Sequence, residues 1–283
     1  YNLAEIIISQ RSKKRDYFCV GYNFHWEARA FSVKPFTPNM IVSSFVGQAF
    51  LDLYEIGKDN KWLNYSIEIG EFIEKELLIF ESKDNICFGY IPGESARVHN
   101  VNLMGARLFS RLYSKTKNEK YLKYSIKSVN YSIKAQRKDG SWVYGEKDHW
   151  GWIDNFHTGF NLIAIYDVQK YLNIKDWQNE IDKGFEYHIE NHFLKDMTPK
   201  YYDNKLYPID IHNFAQGIET LLTFGQIKKA VQLFQKAIDI MWSTNGHYFY
   251  YQKTKYYTNK INYVRWSQAW MFHALTKLKA SCI

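Results

Sequence analysis

Residues able to move a proton or hold a sugar gather at four places in this chain. They read Arg97-Val98-His99-Asn100-Val101-Asn102, Trp150-Gly151-Trp152-Ile153-Asp154-Asn155-Phe156-His157-Thr158-Gly159, Tyr207-Pro208-Ile209-Asp210-Ile211-His212-Asn213-Phe214-Ala215-Gln216-Gly217 and Asn262-Tyr263-Val264-Arg265-Trp266-Ser267-Gln268. Histidine exchanges a proton near neutral pH, and an adjacent aspartate orients the ring or serves as acid. That chemistry makes His157, His212, Asp154 and Asp210 the candidate catalytic groups. Arg97 and Arg265 are suited to a carboxylate or phosphate, which a guanidinium holds in bidentate fashion. Asn100, Asn155 and Asn213 can hydrogen-bond hydroxyls or a uronate, and Trp152 and Trp266 can stack on sugar faces. His99, Tyr207, Tyr263 and Gln268 complete the candidate substrate contacts. Abstraction of a proton beside a uronate carboxylate, leading to elimination or epimerisation, needs this mixture of base, anion clamp and aromatic cradle. Glycoside hydrolysis needs two carboxyl groups across the scissile bond, and Asp154 with Asp210 would be that pair. Helix capping competes as an explanation for the two aspartates. It accounts poorly for three histidines recurring at one structural position.

The elements that must position these residues repeat. Leu51-Asp52-Leu53-Tyr54, followed by Asn60-Lys61-Trp62-Leu63, is echoed by Ser110-Arg111-Leu112-Tyr113 and Asn118-Glu119-Lys120-Tyr121-Leu122, 59 residues later. The connector returns at Tyr171 to Trp177, with Trp177 a further 56 residues beyond Tyr121. Each connector reads as the turn of a helical hairpin. The first helix of each pair is apolar on most faces and the second is amphipathic, so the first is surrounded by protein and the second borders water. The pattern predicts inner helices over 40–56, 99–114, 154–170, 209–223 and 262–278, and outer helices over 60–79, 119–136, 175–192 and 226–242. Asn2 to Gln10 reads as the end of another outer helix. The expected fold is all-α: an (α/α) toroid of helical hairpins over residues 1–283 as one domain, an incomplete (α/α)6 barrel in which an N-terminal helix is missing. Long aromatic loops precede the inner helices, and Trp142-Val143-Tyr144 alternates as a short strand would. In such a ring the inner helix starts share one mouth, whose dipoles favour anions. Asn155-Phe156-x-x-Gly159 and Asn213-Phe214-x-x-Gly217 match at an offset of 58 residues, and Asn213-x-x-Gln216 matches Arg265-x-x-Gln268 at 52.

Composition narrows the class of partner. The 283 residues include 46% hydrophobic side chains, enough for a sizeable core, and no apolar run reaches the roughly 18 residues that a membrane span needs. Lysine and arginine number 37 against 29 acidic residues, a net charge of +8. The lysines are scattered along presumed solvated helix faces, which argues against nucleic acid as the partner and for solubility. The 51 aromatic residues, including 23 Tyr and 9 Trp, exceed what a core needs and suit half-buried clefts. Cys19, Cys87 and Cys282 are far apart, so neither a disulfide framework nor a cysteine metal site is expected, and a reducing, cytoplasmic setting fits. The chain opens on Tyr1 in mid-pattern, which leaves export open. His188 and His192 stand at i, i+4 and read as surface residues of an outer helix. No metal or organic cofactor is expected.

These junctions resemble the VpsJ-type polysaccharide biosynthesis proteins of bacterial exopolysaccharide and lipopolysaccharide gene clusters. The match is carried by Thr37-Pro38-Asn39, Arg97 through Leu103, Asp139-Gly140-Ser141-Trp142, Trp152 through Gly159, Leu206 through His212, Tyr257-Thr258-Asn259-Lys260 and Arg265-Trp266-x-Gln268-Ala269-Trp270. His25 stands where relatives tend to have aspartate. The resemblance implies a six-hairpin toroid that acts in surface-glycan synthesis or modification. The expected activity is lyase, epimerase or glycoside hydrolase chemistry on an acidic saccharide or lipid-linked oligosaccharide. The alternative is a non-catalytic glycan-binding or scaffold subunit of an assembly machine.

Overall fold

The computed structural model describes residues 1–282. Ten α-helices are present among them: α1 (Asn2–Ser9), α2 (Met40–Gly57), α3 (Asn60–Leu77), α4 (His99–Thr116), α5 (Glu119–Lys134), α6 (Asn155–Leu172), α7 (Gln178–His192), α8 (Ile211–Thr223), α9 (Ile227–Met241) and α10 (Ala269–Ser281). Nine short strands lie in the loops: β1 (Trp26–Glu27), β2 (Ser32–Val33), β3 (Leu78–Glu81), β4 (Ile86–Phe88), β5 (Ile209–Asp210), β6 (Trp242–Ser243), β7 (Tyr248–Phe249), β8 (Gln252–Lys253) and β9 (Thr258–Asn259). Trp142–Tyr144 is not a strand, contrary to its alternation. Tyr144 instead makes one backbone bond, to the Trp152 carbonyl at 2.9 Å.

The chain divides into two compact units, and α6 begins in the second and ends in the first. The first unit holds residues 1–135, 145–151 and 164–177. Its hairpin connectors show why the sequence repeats. Lys58, Lys117 and Asn173 all adopt left-handed backbone, with φ of 55°, 58° and 56°. This conformation lets the Lys58 and Lys117 N–H groups close the preceding helix on the carbonyls of Tyr54 and Tyr113. The next residue starts the second helix: Asp59 accepts from Lys61 N at 2.9 Å and Asn118 from Lys120 N at 3.0 Å. The aromatic anchors Trp62, Tyr121 and Trp177 are all buried. Helix α4 is buried along most of its length, as a helix apolar on most faces should be, whereas α5 exposes Lys120, Lys123 and Lys134.

The second unit holds residues 136–144, 152–163 and 178–283, described to 282. Its core packs Phe193, Ile211, Phe214, Ile218, Leu233 and Met271. The repeated Asn-Phe-x-x-Gly motif now has a reason. A Cβ on Gly159 would lie 2.7 Å from Thr220 Oγ1 and 2.9 Å from Gln216 Cγ, and one on Gly217 would lie 2.8 Å from Leu233 Cδ2. Glycine at both sites lets neighbouring helices approach to contact. A three-stranded antiparallel sheet of order β5-β8-β9 leads into α8, with Asp210 opposite Gln252 and Gln252 opposite Asn259. The last inner helix starts later than its apolar pattern suggested, because Val264–Gln268 forms a π-helical turn before α10.

The connectors generate a stability test. Asn118→Ala removes a cap and should cost about 1 kcal/mol, and Lys117→Gly relieves a left-handed residue and should gain up to about 1 kcal/mol. Urea unfolding of both variants checks the signs.

Candidate active site

At the starts of α6 and α8 in the second unit, two aspartates make parallel sets of hydrogen bonds. Asp154 accepts from His157 N at 2.9 Å through Oδ1, and through Oδ2 from the Trp152 indole Nε1 at 3.1 Å. Asp210 accepts through Oδ1 from His212 N at 2.8 Å and from the Trp266 indole Nε1 at 3.1 Å, and through Oδ2 from Gln252 Nε2 at 2.5 Å. Each aspartate therefore caps a helix and fixes an indole. They differ in their treatment of the histidine ring. Asp154 Oδ2 also lies 2.6 Å from His157 Nδ1, so that nitrogen carries the proton and Nε2 is left as the proton acceptor. The His212 ring has no carboxylate, and neither of its nitrogens hydrogen-bonds to the protein.

Aromatic rings join the two histidines. Phe156 packs at 4.2 Å from the His157 ring and 5.0 Å from the His212 ring, centroid to centroid. His212 also touches Trp266 at 4.5 Å and Trp270 at 4.7 Å, and His157 touches Tyr144 at 4.7 Å. Tyr144 in turn stacks on Trp152 at 4.6 Å. His212 is 3% exposed, and burial drives its pKa down to about 3, with His157 and Arg265 adding like-charge repulsion. Its imidazole is neutral at physiological pH, able to donate one hydrogen bond and accept another. Burial pushes Asp210 the other way, up to about 6, against the hydrogen bonds from Gln252, His212 and Trp266.

Other residues singled out in the sequence have different placements. Asn155 and Asn213 are fully buried and serve the backbone. Asn155 Nδ2 donates to the carbonyls of His192 at 3.1 Å and Lys200 at 3.2 Å, and Asn213 Nδ2 donates to the same Lys200 carbonyl at 3.3 Å. Both amides thus tie α6 and α8 to the loop after α7. Gln268 clamps Phe249, accepting from its N–H at 3.0 Å and donating to its carbonyl at 2.8 Å. It also lines an apolar cavity of about 360 Å³ with Phe234, Phe249 and Phe272, a cavity that includes neither His157 nor His212. Tyr207 and Tyr263 are exposed, and Tyr263 meets Tyr251 edge to face at 5.0 Å. Arg265 is exposed in the π-helical turn, its guanidinium 5.9 Å from the Trp266 ring.

Arg97, His99 and Asn100 belong to the first unit. Arg97 lies 3.4 Å from Glu146, donates to Tyr131 at 3.3 Å and covers the Phe80 ring at 4.7 Å, so its charge already has a partner. His99 is 1% exposed with both ring nitrogens unbonded, and burial lowers its pKa to about 4. Asn100 is buried, and its carbonyl oxygen has no partner.

His188 and His192 are not surface residues. They continue the inward stripe of α7 formed by Ile181, Gly184 and Tyr187, and both are fully buried. His188 Nε2 lies 3.0 Å from Asn155 Oδ1. Their i, i+4 spacing put them on one face, and the apolar residues a turn or two earlier would have identified that face as the inner one. Among the described residues no group of three or more His, Cys, Asp or Glu side chains could hold a metal ion. No described helix is long and apolar enough to cross a membrane.

No protein-family model and no curated protein matches the chain by sequence. Solved structures do match it in fold. It is similar to a cellobiose 2-epimerase from Bacillus thermoamylovorans (TM-score 0.75, 12% identity, covering 99% of this chain and 80% of that one). It is also similar to a family GH76 α-mannanase from Bacteroides thetaiotaomicron (0.74, 9%, 99% and 77%) and to a D-mannose isomerase (0.73, 8%, 99% and 80%). The fold is the all-α (α/α)6 toroid class of such proteins.

The buried histidines generate a pH test. Unfolded, each titrates near 6.5; folded, His99 and His188 do so near 4, His212 near 3 and His192 well below its ordinary value. As pH falls below 6.5 the unfolded chain takes up protons that the folded chain refuses. Each histidine then costs about 1.4 kcal/mol per pH unit until its folded pKa is reached. Asp210 opposes this between about 6 and its unfolded value near 3.8, but it is one group against four. The urea midpoint should therefore drop steeply from pH 7 to pH 5, and a flat profile would mean that these rings are not buried neutral.

Proposed function

We propose that this protein is a carbohydrate-active enzyme that moves a proton at the carbon beside a sugar carbonyl, as an epimerase or aldose–ketose isomerase. The observation that carries the reading is the pairing of the Asp154-anchored His157 with a neutral, unpartnered His212 against one Phe156 ring. Asp154 holds the His157 proton on Nδ1, so Nε2 is the base and Asp154 stabilises the imidazolium that forms. Neutral His212 hydrogen-bonds the carbonyl oxygen as negative charge builds there, a role for which a low pKa is an advantage. Trp152, Tyr144 and Trp266 supply aromatic faces for the sugar.

The same geometry weighs against glycoside hydrolysis by the two aspartates. Every oxygen of Asp154 and Asp210 already accepts a hydrogen bond within the protein, and two of the donors are helix-start N–H groups. A nucleophile or acid in either position would have to compete with these side-chain donors or break its own cap. The epimerase and isomerase among the similar folds support proton transfer, whereas the α-mannanase supports the hydrolytic alternative. The resemblance to VpsJ-type proteins supports an acidic saccharide or lipid-linked oligosaccharide of bacterial surface-polysaccharide synthesis as the substrate. A glycan-binding subunit without turnover is the competing reading.

Incubation with a panel of aldoses, ketoses, β-linked disaccharides and uronate-containing oligosaccharides in D2O, followed by NMR, separates these readings. Deuterium should enter at C2 of at least one sugar. His157→Gln should slow that exchange by roughly 10²-fold or more while leaving the melting temperature near wild type. Release of free monosaccharide without exchange would establish hydrolysis instead, and binding without either product would leave a glycan-binding protein.

A further inference from the structure

The net positive charge is not spread evenly. After Asp239 the chain contains no acidic residue through Ile283, yet it contains Lys253, Lys255, Lys260, Arg265, Lys277 and Lys279. Three of these lysines lie on the β8–β9 hairpin or directly after it, and none of the three is in an ion pair among the described residues. The same hairpin presents bare aromatic rings: Tyr256 is 86% exposed and Tyr257 64%. Solvated rings held by a rigid backbone are a binding feature rather than packing. Here the backbone is rigid, because Thr254 locks the turn. Thr254 N donates to the Tyr257 carbonyl at 2.8 Å, and its Oγ1 accepts from Tyr257 N at 3.0 Å.

The hairpin is tied to the site by one hydrogen bond. Gln252, the first residue of β8, pairs with Asp210 in the sheet and bonds its carboxylate, and Asp210 carries both Trp266 and the start of the His212 helix. Tyr256 lies four residues beyond Gln252, in the turn of the hairpin, a separation that spans up to about 13 Å in extended chain and so leaves room for more than one sugar ring between the tip and the carboxylate.

We propose that the β8–β9 hairpin and the segment leading to the π-helical turn form an accessory subsite for the anionic part of an oligosaccharide whose reacting residue lies at His157 and His212; this deepens, and rests on, the function proposed above. Tyr256 and Tyr257 stack on sugar faces, and Lys253, Lys255 and Lys260 pair with carboxylates along the chain. The substrate is then a uronate-containing oligosaccharide rather than a free hexose.

Calorimetric titration of the whole protein tests this. The probes are galacturonate and mannuronate trisaccharides, their neutral galactose and mannose counterparts, and single-stranded DNA. At low salt at least one uronate trisaccharide should bind roughly tenfold or more tighter than its neutral counterpart, and the difference should shrink as salt is added. A combined Lys253→Gln, Lys255→Gln, Lys260→Gln variant should abolish the preference, and a Tyr256→Ala, Tyr257→Ala variant should weaken charged and neutral trisaccharides alike. Equal binding of charged and neutral sugars, no uronate binding at millimolar concentration, unchanged affinity in both variants, or tighter binding of DNA would each overturn it. Binding is read here without turnover. A uronate preference that the lysine variant loses, in a protein that exchanges no deuterium, would remove the proposed reaction and leave the subsite standing.

Discussion

Helix starts buried away from water must have their N–H groups satisfied from within, and that constraint organises the second unit. Asp154 and Asp210 meet it at α6 and α8. Because each carboxylate has capacity beyond the cap, each also takes an indole N–H and so fixes a tryptophan face beside a histidine. The aspartates are thus framework first, and whatever the histidines do chemically follows from that framework.

The divergence between the two caps matters more than their likeness. His157 follows its aspartate by three positions, which brings the ring back onto the same carboxylate that holds its backbone N–H. His212 follows by two, so only its backbone reaches Asp210 and its ring turns into an aromatic cage of Phe156, Trp266 and Trp270. A one-residue change in spacing gives one imidazole a charged partner and leaves the other neutral.

Much of this was legible in the sequence, and the reasons are local. The hairpin connectors could be read because a left-handed residue and a buried aromatic follow one another at fixed spacing at Lys58, Lys117 and Asn173, with a capping side chain between them at Asp59 and Asn118. The junction histidines stood out because capping did not explain them. What stayed hidden depends on partners distant in sequence. Asn155 and Asn213 read as sugar ligands until the Lys200 carbonyl, far from Asn155 along the chain, proved to be their shared acceptor. Gln268 read the same way, although its amide is spent on the backbone of Phe249. The polarity of His188 and His192 obscured an inward stripe whose apolar members lie earlier on α7. The role of Gln252 could not be read at all, since only the pairing of β5 with β8 brings it to Asp210.

The central claim is that His157 and His212 address one bound sugar from within a single aromatic enclosure. The most direct measurement is a crystal structure with an open-chain sugar alcohol, such as sorbitol, bound at high concentration. The account requires His157 Nε2 and a ring nitrogen of His212 each within hydrogen-bonding distance of that one molecule, with Asp154 still bonded to His157 Nδ1. A ligand held by the Asp210 carboxylate with the His212 ring untouched, or seated where neither histidine reaches it, would contradict the account.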